Sequence, residues 1–290
     1  MTTESAENTG EPEVGSNECR SVENNMNKLP TAYLQWYFTK DDLLDTPTIC
    51  HGRTFEDEQL DRIKGCHFLL AVGAKLGLPQ LVVVTATTFF HRFYMRQSMT
   101  NHHVYDIAST CLFIATKVEE CTRRFKDIVL ACARKASKND NLRLEEDSKE
   151  FTRWKESLLH NEIIVLDTLC FDLSVEHPHT SLMRFETQLT VSSSSIRKAW
   201  MLLYQSLGAP LCVLYKPNII AAAALLLATN LSSSDRLNEN WYENLHDIDV
   251  VQVHELAAEM LEYFMDHYLV RSSSSQANSP HPSQQMHLAH

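Results

Sequence analysis

Glycine is scarce in this chain, with seven residues in 290. Little material is left for phosphate-cradling loops, and no G-x-x-x-x-G-K-[ST], G-x-G-x-x-G or G-x-S-x-G run occurs. Positive charge is also short: 26 Lys and Arg face 37 Asp and Glu, a formal net charge of -11. Such a chain repels phosphate backbones unless a local basic patch offsets it, and the only cluster is Arg123, Arg124 and Lys126. Direct nucleic-acid binding is therefore not expected. The first thirty residues have no cationic start and no apolar stretch of the secretory type. Ile219 to Ala228, the longest strongly apolar run, is too short to span a bilayer. The expectation is a soluble intracellular chain with no membrane partner.

The eight cysteines include no C-x-x-C pair, and Cys66, Cys111 and Cys170 fall within apolar helical patterns, where a thiol behaves as a small hydrophobe. Fourteen histidines invite a metal site. Yet His102-His103 and "EHPH" at Glu176 to His179 lack the i, i+4 spacing or cysteine pairing of zinc ligands. His177 and Pro178 read instead as the cap and first residue of a helix. No catalytic residue, metal or cofactor is assigned, and the chain is expected not to be an enzyme.

Helical spacing pervades residues 31 to 270, and both ends, 1–30 and 271–290, have the polar composition of disordered tails. "TKDD" at Thr39 to Asp42 predicts a capping box opening a short N-terminal helix. Further helices are predicted near 57–76, 80–98, 103–119, 125–136 and 150–171, then near 179–189, 195–212, 217–230, 239–246 and 250–268. The two sets echo each other. "IASTCLFIATK" from Ile107 and "IAAAALLLATN" from Ile220 match at five of eleven places, at an offset of 220 − 107 = 113. The spacing implies a tandem repeat of five-helix units, each built on one apolar central helix.

Core positions recur between the copies, but charges do not. Lys117 maps onto Asn230, and Glu119 and Glu120 onto Ser232 and Ser233, so the charges are not required by the fold. Helix 150–171 carries a second oddity. Its spacing puts Trp154, Leu158, Leu159, Ile163, Val165, Leu166, Leu169 and Cys170 on one arc with Glu162 near the middle, whereas Ile164 and Phe171 fall on the polar arc. A carboxylate there must be paired or hydrogen-bonded. Either Glu162 snorkels at a helix edge and Phe171 tucks under a loop, or both serve a partner.

Several stretches in order resemble one family: "WYFTKDDLLDTP" from Trp36, "HRFYMRQS" from His91, "ATKVEE" from Ala115, "RRFKDIV" from Arg123, "NEIIVLDTLCFDL" from Asn161 and "EHPHTSLM" from Glu176. Together they are similar to the cyclin T and cyclin K group of transcriptional cyclins, densely to about Leu189 and more loosely to Tyr268. The resemblance implies an all-α fold of two tandem five-helix cyclin boxes, residues 31–176 with the N-terminal helix and 177–270. It implies that the first box grips a cyclin-dependent kinase through Phe113, Lys117, Glu120, Arg124, Glu162, Leu166 and Phe171, with Lys117 and Glu162 bonding main chain beside the kinase C helix. A nuclear, non-catalytic subunit of a kinase acting on the RNA polymerase II carboxy-terminal repeats, promoting elongation, is the leading expectation. The alternatives are a cyclin-box general transcription factor binding DNA or other transcription proteins, and an enzyme in its own right.

Overall fold

A computed structural model describes residues 35–232, 237–238, 240–245 and 247–276, the side chains of 244 and 266–276 excepted. Among the described residues there is no strand. Nine longer helices carry the fold: α1 (Phe55–Lys75), α2 (Gln80–Tyr94), α3 (Val104–Val118), α4 (Phe125–Ser137), α5 (Lys149–Thr168), α6 (Pro178–Gln188), α7 (Ser193–Gln205), α8 (Pro217–Asn230) and α9 (Val250–Gln276). Thr54, Ser148 and Ser192 cap α1, α5 and α7 by accepting from the backbone N–H groups of Asp57, Phe151 and Ser195. Each such cap contributes about 1 kcal/mol. His177 caps α6 by position, with Pro178 first in the helix, as predicted.

Two large hydrophobic cores form, one around α3 and the other around α8, and a third, small cluster joins Leu43, Met95 and Val213. The central helices start at Val104 and Pro217, and 217 − 104 = 113, the offset read from the sequence. Both are buried nearly all round. The hydroxyls of Ser109, Thr110 and Thr116 lie inside because each donates to a carbonyl of its own helix, at 2.7–2.8 Å. Gly65 lets α1 approach α2 closely: a Cβ there would sit 2.2 Å from Phe90 Cζ.

The "TKDD" box exists, since Thr39 N–H donates to Asp42 Oδ2 (2.7 Å) and Asp42 N–H donates back to Thr39 Oγ1 (3.2 Å). It opens only a 3₁₀ turn, Asp42–Leu44, ahead of one helical turn at Pro47–Cys50. The segment straps across both boxes. Phe38 N–H bonds Val213 O at 2.8 Å and Lys40 pairs with Glu259, while the Trp36 ring stacks beneath Arg92 and Arg96 and its Nε1–H donates to Asp172 Oδ2.

Beneath the strap lies an ion pair with no exposed surface, Arg62 Nη2 to Glu58 Oε1 at 2.6 Å. Thr46 donates to the same carboxylate, and Arg62 also reaches the carbonyls of His91 and Tyr94. His91 then bonds Leu207 O at 3.0 Å, joining the pair to the second box. Burial and the Arg62 charge push the His91 pKa down to about 3, so the imidazole is neutral: Nε2–H donates to Leu207 and Nδ1 faces Arg62.

Four expectations are corrected. The helix predicted at 195–212 ends at Gln205, because Pro210 has no N–H to continue the ladder. The one at 239–246 is a 3₁₀ turn, Trp241–Asn244. The last helix continues past 268 to Gln276; residues 1–30, and those from 277 on, lie outside the described residues. Cys170, expected inside, is exposed beyond the end of α5.

Candidate functional site

α3 and α5 pack side by side, and at their C-terminal ends they bring together side chains that the sequence separates by forty-five positions. Lys117 Nζ lies 2.5 Å from Glu162 Oε1 and 3.9 Å from the centroid of the Phe113 ring. The Lys117 side chain is 47% exposed and that of Glu162 18%, so the pair sits at the surface with its carboxylate side half-sunk. Phe113 is buried against Phe125, the two ring centroids 5.3 Å apart. A packed ring beneath the ammonium holds it toward Glu162.

Both helices end the same way. Cys121 N–H bonds Thr116 O and Glu120 N–H bonds Lys117 O; on α5, Phe171 N–H bonds Leu166 O and Cys170 N–H bonds Asp167 O. These are Schellman closures, which place one residue in the left-handed region where glycine is normally found. Here those residues are Glu120 (φ 52°) and Cys170 (φ 52°), followed by Phe171 (φ 55°). Left-handed backbone costs a non-glycine residue roughly 1–2 kcal/mol. Three of the five non-glycine positive-φ residues among those described therefore lie just past the C-terminal ends of the two helices that carry Lys117 and Glu162. Arg96 stiffens the α5 end, its Nη1 donating to Thr168 O at 3.1 Å.

The remaining predicted residues divide. Glu120 and Phe171 are exposed, Phe171 at 67%. Leu166 is half-buried against the first core. Arg124 does not join the pair: its guanidinium holds Asp127 in a two-toothed contact, Nε–Oδ2 2.8 Å and Nη2–Oδ1 3.3 Å. Its neighbours are also engaged within the chain. Arg123 donates to the Leu76 and Gly77 carbonyls that end α1, and Lys126 pairs with Glu146. Glu119 takes no part in the pair, accepting instead from Thr85 Oγ1 at 2.6 Å, beside His177.

The arc predicted on α5 needs correction. Ile163 is 71% exposed and Leu159 43%, while Asn161 and Thr168 are buried. The buried stripe is Trp154, Leu158, Asn161, Val165 and Thr168, a 4-3-4-3 spacing in which two members are polar. Thr168 Oγ1 donates to Ile164 O, and Asn161 Nδ2 to Ser157 Oγ, which makes their burial tolerable. Ile163, on the apolar arc by its spacing, is instead an exposed neighbour of Glu162.

Among the described residues no group of three or more His, Cys, Asp or Glu is placed to hold a metal ion, and no helix is long and apolar enough to cross a membrane.

Residues 39–174 match the cyclin N-terminal domain family. The cyclin pch1 of Schizosaccharomyces pombe is 42% identical over 195 residues, 67% of this chain and 57% of that one. Human cyclin-K is 31% identical over 241 residues, 79% of this chain and 40% of that one. The chain spans about half the length of the curated relatives it matches. A chain in the crystal structure of the yeast RNA polymerase II CTD kinase CTDK-1 complex superposes with a TM-score of 0.69 at 17% identity, covering 80% of this chain and 74% of the other. At that identity the likeness is one of fold.

Proposed function

The chain carries a cyclin N-terminal domain at residues 39–174 and is a relative of the cyclin T and cyclin K proteins, and from that premise we propose that it is the activating subunit of a cyclin-dependent kinase. The substrate proposed for the complex is the RNA polymerase II carboxy-terminal repeat domain, and the compartment the nucleus. The observation that carries the proposal is the Lys117–Glu162 pair. It bridges two core helices, the place matching Lys117 in the second box holds Asn230, and the helix that carries Glu162 also presents exposed Ile163 and, past its end, exposed Phe171. An apolar rim around a half-sunk charge pair suits a partner helix that presents both a hydrophobic stripe and unpaired backbone groups.

Lys117 donates and Glu162 accepts, so together they can hold a carbonyl and an N–H of one partner segment. Phe113 fixes the lysine, and Phe171 extends the apolar contact. Activation then follows from population shift. A kinase needs its C-helix glutamate paired with the strand-three lysine, and a subunit that binds only that arrangement favours it. Moving the kinase from about 1% to 99% competent takes roughly 5.5 kcal/mol of preference for the active state, within reach of an interface of standard size. The DNA-binding alternative would need a free basic patch, whereas Arg123, Arg124 and Lys126 each engage a group of this chain.

Affinity purification of the tagged full chain, with partners identified by mass spectrometry and activity assayed on polymerase repeats, is the test. Recovery of a kinase that is active only with the chain present is expected. Catalysis by the chain alone, or no kinase recovered, would overturn the proposal.

A further inference from the structure

Phe171, 67% exposed at the end of α5, stands on unfavourable backbone. It follows Cys170 in the left-handed region, where each non-glycine residue is disfavoured about five- to thirtyfold against ordinary backbone. Two such residues in succession at a helix end need support from outside the helix.

The support comes from the strap and from the end of α2. Trp36 is 2% exposed and packs into the first core, although it belongs to no helix. Its Nε1–H donates to Asp172 Oδ2 at 2.8 Å, and Gln35 Nε2 donates to the same oxygen at 3.0 Å. Asp172 is the residue directly after Phe171. Three residues before Phe171, Thr168 O is one of the last α5 carbonyls, which have no partner within the helix, and Arg96 Nη1 donates to it at 3.1 Å. The same guanidinium lies 3.9 Å from the centre of the Trp36 ring, and its Nη2 reaches Gln35 Oε1 at 3.4 Å. Arg92, one helical turn earlier, lies 5.0 Å from that ring and contacts Ser174 O at 3.4 Å. Strap, α2 end and the chain on both sides of Phe171 thus close into one circuit of bonds around the Trp36 ring.

The residue types suit the task. An indole offers a flat face to two guanidinium groups and one N–H to a carboxylate, whereas a phenyl ring offers only the face. The strap is itself pinned to the second box, by Phe38 N–H to Val213 O and by Lys40 to Glu259. The second box thereby bears on the end of α5 through the strap.

We propose that Trp36 is a positioning residue for partner docking: with Arg96 it holds the chain on either side of Phe171, so that the exposed ring meets the kinase in a pose already set. A preset contact avoids the ordering cost that a loose one incurs on binding. The proposal rests on the reading of Phe171 as a kinase contact.

Two measurements on the full chain test it. The first needs no kinase and follows amide hydrogen exchange in the free, ¹⁵N-labelled chain. Trp36→Phe keeps a ring beneath Arg96 and removes the donor to Asp172, so exchange at Cys170 and Phe171 should quicken about fivefold or more, the lower bound of the left-handed penalty. Glu120 and Cys121 close α3 with the same pair of bonds and are the control; their exchange should not change. The second is calorimetric titration with the kinase recovered with the chain. Trp36→Phe should weaken binding about fivefold or more when Phe171 is present and should have little effect in a Phe171→Ala background, whereas a merely structural role would weaken both alike. Arg96→Met, which keeps its stem on the ring and loses the donors, should repeat both patterns, and it stands in should Trp36→Phe fail to fold. Unchanged exchange at Cys170 and Phe171, or equal weakening with and without Phe171, would overturn the proposal. Phe171→Ala binding as tightly as the unaltered chain would overturn the docking reading and the proposal with it; exchange at Cys170 and Phe171 would still quicken, which tells that failure apart from a failed clamp.

Discussion

Lys117→Ala separates a structural role for the charge pair from a docking role, because the two predict different magnitudes in different assays. In the free chain Lys117 is about half exposed, and an ion pair at that exposure contributes only about 0–1 kcal/mol. Removing the ammonium also gives up its contact with the Phe113 ring, worth about 0.5–1 kcal/mol at an exposed site. The melting temperature should therefore fall by no more than a few degrees. In the complex, burial strips water from the pair, and truncating one partner then costs about 2–5 kcal/mol, a loss of roughly thirty- to several-thousand-fold in affinity. Asn230→Ala is the internal control: it occupies the matching place at the end of α8 and is exposed there, and it should change neither quantity. Glu162→Ala should resemble Lys117→Ala, and the double variant should lose less than the sum, since both groups engage one stretch of partner backbone. Calorimetric titration of the recovered kinase against the variants, with thermal melts of each free chain, measures all of this. If Lys117→Ala binds normally, or destabilises the free chain as much as it weakens the complex, the pair is a structural brace and the docking surface lies elsewhere.

Two further outcomes concern the free chain. Glu120→Gly should raise stability by about 0.5–1 kcal/mol, because glycine relieves left-handed strain at a cost in unfolded-state entropy; a lower melting temperature would refute the strain argument. Stability should fall as pH drops from about 6.5 toward 4. His91 and His179, held in the fold at pKa values of about 3 and about 4, take up protons on unfolding at their ordinary value, so the unfolded state binds more protons in this window. Each contributes up to about 1.4 kcal/mol per pH unit, and urea midpoints for His179→Gln should show a shallower dependence, His91 and the also lowered His102 and His177 retaining the rest; an unchanged slope would refute it.

The helical fold and its duplication were legible because the central helices obey one period and repeat at one offset, so Ile107 and Ile220 announce the same position twice. Where the stripe is interrupted by polar residues, the reading slipped. Asn161 and Thr168 occupy core positions by bonding within their own helix, a solution invisible to a hydropathy pattern, and Ile163 was drawn inside in their place. Lys117, Glu162 and Phe171 stood out as exceptions to the pattern, but nothing local indicated that Lys117 and Glu162 would touch; that depends on how α3 packs against α5. The left-handed helix ends were equally hidden, since neither Glu120 nor Cys170 advertises a turn as glycine would. The second box is the harder to read, its fourth helix reduced to a 3₁₀ turn.

The buried Arg62–Glu58 pair has a consequence for how the chain comes apart. Its charges are tolerable only while Thr46, His91 and the Tyr94 carbonyl surround them, and His91 in turn depends on Leu207 across the junction. With the second box undocked the ion pair would stay compensated, but the His91 ring would lose its acceptor, Leu207 O, leaving a polar group that was buried in need of a new partner. Although the two large hydrophobic cores are separate, His91 bonded to Leu207, the small cluster of Leu43, Met95 and Val213, and the N-terminal strap connect them. A protease nick between the boxes at Ser174 to Glu176 would therefore leave the fragments associated rather than free, held by the His91–Leu207 and Phe38–Val213 hydrogen bonds and the Lys40–Glu259 pair.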